Sequence, residues 1–234
     1  MVTRIAVLAS GRGTNLRALH EHLSAPDTKA TAQIVVVICD RADAGALELA
    51  ASRGIAAVTV EPGPSYEGEL ARTLQAHGAD LVVLAGYLRL VPGSIVRRYA
   101  GRVVNVHPAL LPAFGGRGMY GMRVHQAVLA SGARVTGVSV HFVDEAYDRG
   151  AIIAQWPVPV FADDTAHRLA ERVLRVEHLL LPRVVRAVAA RHITLGPDNR
   201  VQGAFTGSSP LAAFSLSMVA EDVLIADIER ALEH

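Results

Sequence analysis

Over the first hundred residues, short apolar runs alternate with stretches of helical periodicity, the arrangement that βαβ units with a parallel sheet produce. Residues 5–9, 34–38, 56–60, 81–84 and 103–107 read as strands. Helices are predicted between them at 15–22, 44–53, 66–77 and 94–99. Each crossover is long enough for the right-handed connection such sheets require. The expected fold class is therefore α/β, a doubly wound, mostly parallel sheet with a Rossmann-like N-terminal half.

Further strands are predicted at 137–143 and 152–158, followed by a long helix over about 165–189. Leu169, Val173, Val176 and Leu180 recur four, three and four apart, one apolar stripe, while Arg168, Arg172 and Arg175 take other faces. After Gly196-Pro197 comes a Gly/Ser-containing stretch. A final helix is then predicted from the stripe Ala220, Leu224, Ile228 and Leu232. The expected organisation is a catalytic domain over 1–195 and a C-terminal extension over 196–234.

Charge and cysteine usage exclude several function classes. A net charge of +1 gives no electrostatic reason for a nucleic-acid or membrane partner. Cys39 is the only cysteine, so no internal disulfide or cysteine-rich metal cluster can form, which suits a reducing, cytoplasmic compartment. The N-terminus runs straight into a strand pattern with no signal-peptide sections, and no run of eighteen apolar residues spans a bilayer. Lys29, in a polar stretch that reads as a loop, is the only lysine, which removes support for P-loop and Schiff-base chemistry.

The first strand ends in Ser10-Gly11-Arg12-Gly13-Thr14-Asn15-Leu16. Glycines there permit a tight turn, and the following helix aims free N–H groups at an anion. A plain turn is the alternative. A dinucleotide fingerprint would need a third glycine where Leu16 stands, although Asp40 at the end of the second strand occupies a ribose-binding position.

The fifth strand ends in Val103-Val104-Asn105-Val106-His107-Pro108, and strand alternation puts Asn105 and His107 on one side, where both can reach one carbonyl. A satisfied strand-end histidine is the competing reading. Asp148, in the polar loop 144–150, shifts the balance, because a nearby carboxylate raises an imidazole pKa and favours its protonated form. An amide donor, a histidinium donor and a carboxylate base suit acyl transfer between amines: the oxyanion needs stabilising and the attacking ammonium must lose a proton. The sequence contains no Gly-x-Ser-x-Gly elbow, and Cys39 has no motif partner, so direct amine attack is the simpler route. A metal site from His107, His141, Asp148 and His178 lacks any recognised ligand spacing, and none is expected.

Four segments together resemble the phosphoribosylglycinamide formyltransferase family: Ala9–Leu16, 85–91 (Ala-Gly-Tyr-Leu-Arg-Leu-Val), 105–114 (Asn-Val-His-Pro-Ala-Leu-Leu-Pro-Ala-Phe) and 140–150. The resemblance covers roughly residues 4–190. It implies the formyltransferase fold and transfer of a formyl group from 10-formyltetrahydrofolate, a co-substrate, to the amine of 5′-phosphoribosylglycinamide. Gly11, Gly13, Thr14 and Asn15 would hold the ribose phosphate, with Glu177 near the amine. Leu88, Arg89, Leu90 and Val91, with Asn105, Val143 and Asp144, would line the folate pocket. Asn105, His107 and Asp148 match the catalytic trio, and Leu111-Pro112 matches a cis peptide. For Glu177 a plain surface acid is the competing reading.

The stretch 115–125 is longer than the family's Pro-Gly-x-His form and offers only His125 as its histidine, and the arginine expected shortly before Tyr66 is absent, Glu61-Pro62-Gly63-Pro64-Ser65 occupying the stretch. Partners are expected to be small molecules, with a homodimer as the possible assembly. Formyltetrahydrofolate deformylase, methionyl-tRNA formyltransferase and a non-catalytic nucleotide- or folate-binding module are the competing functions. The deformylase would carry a preceding regulatory domain, the tRNA enzyme a further C-terminal domain and a basic surface, and the module would leave Asn105, His107 and Asp148 unexplained.

Overall fold

A computed structural model of the chain describes residues 2–26, 31–203 and 221–232. The elements run β1 (Thr3–Ala9), α1 (Thr14–Ser24), β2 (Ala32–Cys39), α2 (Gly45–Ser52), β3 (Ala56–Thr59), α3 (Tyr66–Ala76), β4 (Leu81–Leu84) and α4 (Gly93–Arg98). They continue β5 (Val103–His107), α5 (Met122–Ala130), β6 (Val135–Phe142), β7 (Ile152–Pro159), α6 (Ala166–Ala189), β8 (Ile193–Leu195), β9 (Val201–Gly203) and α7 (Glu221–Leu232).

Seven strands form one sheet in the order β3-β2-β1-β4-β5-β6-β7. The pairs from β3 through β5 are parallel, and β5, β6 and β7 pair antiparallel. Strand order reverses between β1 and β4, and a ligand crevice opens at the carboxyl ends of the strands at such a switch point. β1 is covered on both faces: Ile5, Val7 and Ala9 join one apolar cluster, and Ala6 and Leu8 join another on the opposite face. That double burial explains why its sequence is continuously apolar instead of alternating.

The stripe of α6 docks as its spacing implies, with Leu169, Val173, Val176 and Leu180 all fully buried. Thr165 caps the helix by accepting the Arg168 N–H at 3.2 Å. Arg172 departs from the solvent-facing position its spacing suggests. It is buried, donates to both Asp164 carboxylate oxygens at 2.7 and 2.8 Å and to the Pro159 carbonyl at 3.0 Å, and stacks 4.3 Å from the Phe161 ring centroid. Helical periodicity reports which face is apolar, not whether a loop returns to supply a carboxylate to another.

The β8–β9 hairpin straddles position 195, and α7 lies against α6 through an Arg183–Asp227 ion pair at 3.0 Å and an Arg175 donation to the Ala231 carbonyl at 3.1 Å. Ile228 of the expected stripe is fully buried and Leu232 packs against the core; Ala220, the Leu224 side chain and Lys29 lie outside the described residues. Among the described residues no helix is long and apolar enough to cross a membrane.

Candidate active site

A cavity of about 1160 Å³ occupies the carboxyl ends of β1, β4 and β5, where the sheet topology requires it. The glycine loop forms one wall. Gly13 sits at the N-cap of α1 with φ 78°, a left-handed conformation that disfavours other residues, and a Cβ there would stand 3.0 Å from both Cα and Cβ of Ala46. Gly11, Thr14 and Asn15 line the cavity beside it, as does Arg12, an exposed cation with no acidic partner among the described residues.

Asn15 is buried, and its Nδ2 donates to Glu177 Oε2 at 2.6 Å. Glu177 is therefore no surface acid: it lines the cavity from α6, and burial pushes its carboxyl up to about 7 against the opposing pull of the Asn15 hydrogen bond. Asn15 Oδ1 is buried without a hydrogen-bond partner among the described residues.

The polar cluster grows from the β5–β6 register, in which Asn105 stands opposite His141. His141 Nδ1 lies 2.8 Å from the Phe142 carbonyl oxygen and donates to it, and its Nε2 lies 3.1 Å from Asn105 Nδ2. His107 Nε2 lies 2.9 Å from the Phe114 carbonyl oxygen, and its Nδ1 is 3.7 Å from Asp148 Oδ2. That separation is too long for a hydrogen bond, so Asp148 acts on the ring as a charge. The Asp148 carboxylate reaches three further groups: Oδ2 accepts the Gly116 N–H at 2.9 Å, and Oδ1 lies 3.5 Å from Asn105 Nδ2 and 3.7 Å from His141 Nε2. Its backbone adopts φ 54°, and the turn closes tightly enough that a Cβ on Gly150 would lie 1.8 Å from the Phe142 carbonyl oxygen.

Electrostatics correct one expectation. Asp148 does pull the His107 pKa upward, with help from the Phe114 carbonyl, but burial of the ring outweighs them and His141 adds to it, so His107 is held below its ordinary value. Burial likewise pushes the Asp148 carboxyl up, yet His141, His107 and the Gly116 N–H together overcome it and hold Asp148 below the usual carboxylate range. The sequence showed the neighbouring charge but not the desolvation. Asn105 and His107 both face Asp148, Asn105 Nδ2 3.5 Å from Oδ1 and His107 Nδ1 3.7 Å from Oδ2.

Next to the glycine loop, Leu88 and Leu90 expose apolar side chains, Val91 is buried, and all three line the cavity together with Val143. Arg89 Nε donates to buried Asp40 Oδ2 at 2.9 Å, which occupies the acid that a dinucleotide ribose would need. Ser10 ties this segment to the glycine loop, its Oγ accepting the Leu88 N–H at 3.0 Å and its N–H donating to the Gly86 carbonyl. Asp144 does not line the cavity; its Oδ1 accepts the Ala146 N–H at 2.9 Å inside its own loop. Tyr66 and Tyr87 share a hydroxyl hydrogen bond at the cavity edge, where an arginine was expected shortly before Tyr66. The Leu111-Pro112 peptide is cis.

Two site residues had no catalytic role assigned from the sequence. His141 is placed by sheet register, a signal present only once β5 and β6 are known to pair. His125, left unplaced by the long 115–125 stretch, lies on α5, buried in the cavity wall beside His107, where burial lowers its pKa to about 4. His178 does not line the cavity, and no group of three or more metal-ligating side chains occurs among the described residues.

Comparison with known proteins agrees with this geometry. The Formyl transferase family matches residues 3–185. The chloroplastic phosphoribosylglycinamide formyltransferase of Arabidopsis thaliana is 44% identical over 201 residues, covering 83% of this chain and 68% of that protein. The phosphoribosylglycinamide formyltransferase of Bacillus subtilis is 34% identical over 203 residues, covering 84% of this chain and 97% of that protein. Much longer relatives also match, the chain spanning 19% of a bovine trifunctional purine biosynthetic protein. The crystal structure of glycinamide ribonucleotide transformylase 1 from Symbiobacterium toebii superposes with a TM-score of 0.78 at 39% identity, covering 86% of this chain and 93% of that one. The chain belongs to the formyl transferase family, among its phosphoribosylglycinamide formyltransferases.

Proposed function

We propose that this enzyme transfers the formyl group of 10-formyltetrahydrofolate to the amine of 5′-phosphoribosylglycinamide, giving formyl-phosphoribosylglycinamide and tetrahydrofolate, as a cytoplasmic step of de novo purine synthesis. The observation that carries the reading is a carboxylate, Asp148, held between His107, His141 and Asn105 in the same cavity as an anion-binding glycine loop.

The two walls divide the work. The N–H groups at the start of α1, with Arg12 beside them, suit a phosphate. Leu88, Leu90 and Val143 suit a flat, largely apolar ring. The ribonucleotide amine attacks the formyl carbon between them. Asn105 and His107 are the donors available to the developing oxyanion, and His107, neutral in the free enzyme by its lowered pKa, takes up the second proton to leave the attacking nitrogen and passes it to the folate nitrogen as the bond from the formyl carbon to that nitrogen breaks. Asp148 stabilises the protonated ring and accepts the proton the ammonium sheds.

The decisive experiment follows 10-formyltetrahydrofolate consumption with and without the ribonucleotide. Consumption only in its presence, with formyl-ribonucleotide as product, supports the transfer. Consumption without it, releasing formate, would make the protein a deformylase, and binding without turnover would make it a module.

A further inference from the structure

A second cavity meets Asp148 from the side of the β6–β7 turn. It encloses about 410 Å³, and Leu111, Pro112, Gly115, Arg149 and Ile152 line it without lining the substrate cavity. Asp148 lines both. At about 30 Å³ per water, the space accommodates on the order of ten water molecules. Ile152 is 39% exposed and Arg149 is also exposed, so the cavity communicates with solvent. Gly115 keeps it open on the inner side: a Cβ there would come 2.5 Å from Leu111 Cδ2 and 3.2 Å from Asp148 Cβ.

The chemistry requires such an opening. The substrate nitrogen enters as an ammonium with three hydrogens, sheds one before it can attack, and keeps one as the formamide N–H. Its bond to the formyl carbon forms, the bond from that carbon to the folate nitrogen breaks, and the folate nitrogen takes one of the two departing protons. The other must reach solvent. While two substrates fill the main cavity, the carboxylate that collects this proton is covered on that side.

We infer that the second cavity is the exit by which the proton leaves Asp148 for bulk solvent, with Ile152 and Arg149 on its exposed side. The inference rests on the formyl-transfer reading above. Three features support it: Asp148 forms a wall of both spaces, the Gly116 N–H that fixes its Oδ2 belongs to the partition between them, and the carboxyl is held below its usual range and so releases a proton readily.

The test narrows the mouth with Ile152→Trp and, separately, with Arg149→Trp, using Ile152→Ala as a widened control. Wild-type turnover is established first, so that an inactive wild type overturns the formyl-transfer reading and not the exit alone. The expected result for either tryptophan variant is a kcat lowered by roughly tenfold, with both KM values within about twofold and a solvent deuterium isotope effect on kcat that rises as proton escape becomes limiting. Ile152→Ala should retain the wild-type values. A tryptophan variant that unfolds at the wild-type temperature but keeps wild-type kcat, or loses kcat with no change in isotope effect, overturns the exit.

Discussion

Asn15 donates to Glu177 at 2.6 Å across 162 residues of sequence, fastening the start of α1 to the middle of α6 inside the substrate cavity. Because burial raises the Glu177 carboxyl to about 7 from an unfolded value of 4.5, the sign of its pH linkage is fixed. Below 4.5 the group is protonated in both states. Between 4.5 and 7 the unfolded chain ionises first, so stability is lost as pH rises, by up to about 3 kcal/mol. Glu177→Gln should flatten that loss. Thermal unfolding of both proteins at pH 5 and pH 8 decides it, and parallel losses would show that Glu177 ionises freely.

At the glycine loop, Gly13→Val combines a positive φ with the 3.0 Å approach to Ala46. The expected cost is about 1–2 kcal/mol from the backbone alone, together with weakened ribonucleotide binding and retained folate binding. Calorimetric titration of each ligand separates the two effects. Unchanged ribonucleotide affinity would remove the loop from the phosphate site.

Arg12 tests the same wall by charge. Arg12→Ala should raise KM for the ribonucleotide by about tenfold and leave KM for the folate unchanged, with a smaller difference in high salt. Equal effects on the two substrates, or no dependence on salt, would place its guanidinium away from the phosphate.

Away from the cavity, Asp164→Asn leaves the buried Arg172 guanidinium without its bidentate carboxylate. Breaking such a pair costs about 3 kcal/mol. Denaturant unfolding should show that loss while kcat stays near wild type.

What could be read in advance divides by physical range. The βαβ alternation, the α6 stripe and the glycine loop are local patterns, and the sheet order and burial bear them out. Arg172 and Glu177 were harder, because burial of a charged side chain depends on partners outside its own helix, Asp164 in the loop between β7 and α6 and Asn15 at the start of α1. His141 and His125 carried no motif of their own. The first is defined by its register opposite Asn105 and the second by where α5 packs. The protonation of His107 followed the same logic: proximity to a carboxylate is visible in a motif, whereas the depth of burial that overrides it is not.

Asp148→Asn addresses the chemical step directly. The substitution keeps the shape of the side chain and an oxygen able to accept the Gly116 N–H, but removes the charge facing His107 and His141. Two consequences follow. The His107 pKa, already lowered by burial, should fall further, because Asp148 is the leading influence holding it up. Protonation of the ring in the transition state then becomes harder at every pH. The variant also has no carboxylate to take the ammonium proton. Turnover should drop by a factor on the order of a hundred to ten thousand, the usual contribution of a positioned acid–base group, while both substrates bind with nearly wild-type affinity. Stability provides an independent check. A carboxyl held below its ordinary value stabilises the fold above its unfolded pKa and loses that contribution as pH falls through the folded one, so the acid limb of wild-type unfolding should flatten in the variant. Imidazole titration by NMR, steady-state kinetics and acid unfolding together separate the roles. Near-normal turnover across neutral pH would transfer the base function to another group, with Glu177, whose carboxyl titrates near 7, the next to be replaced.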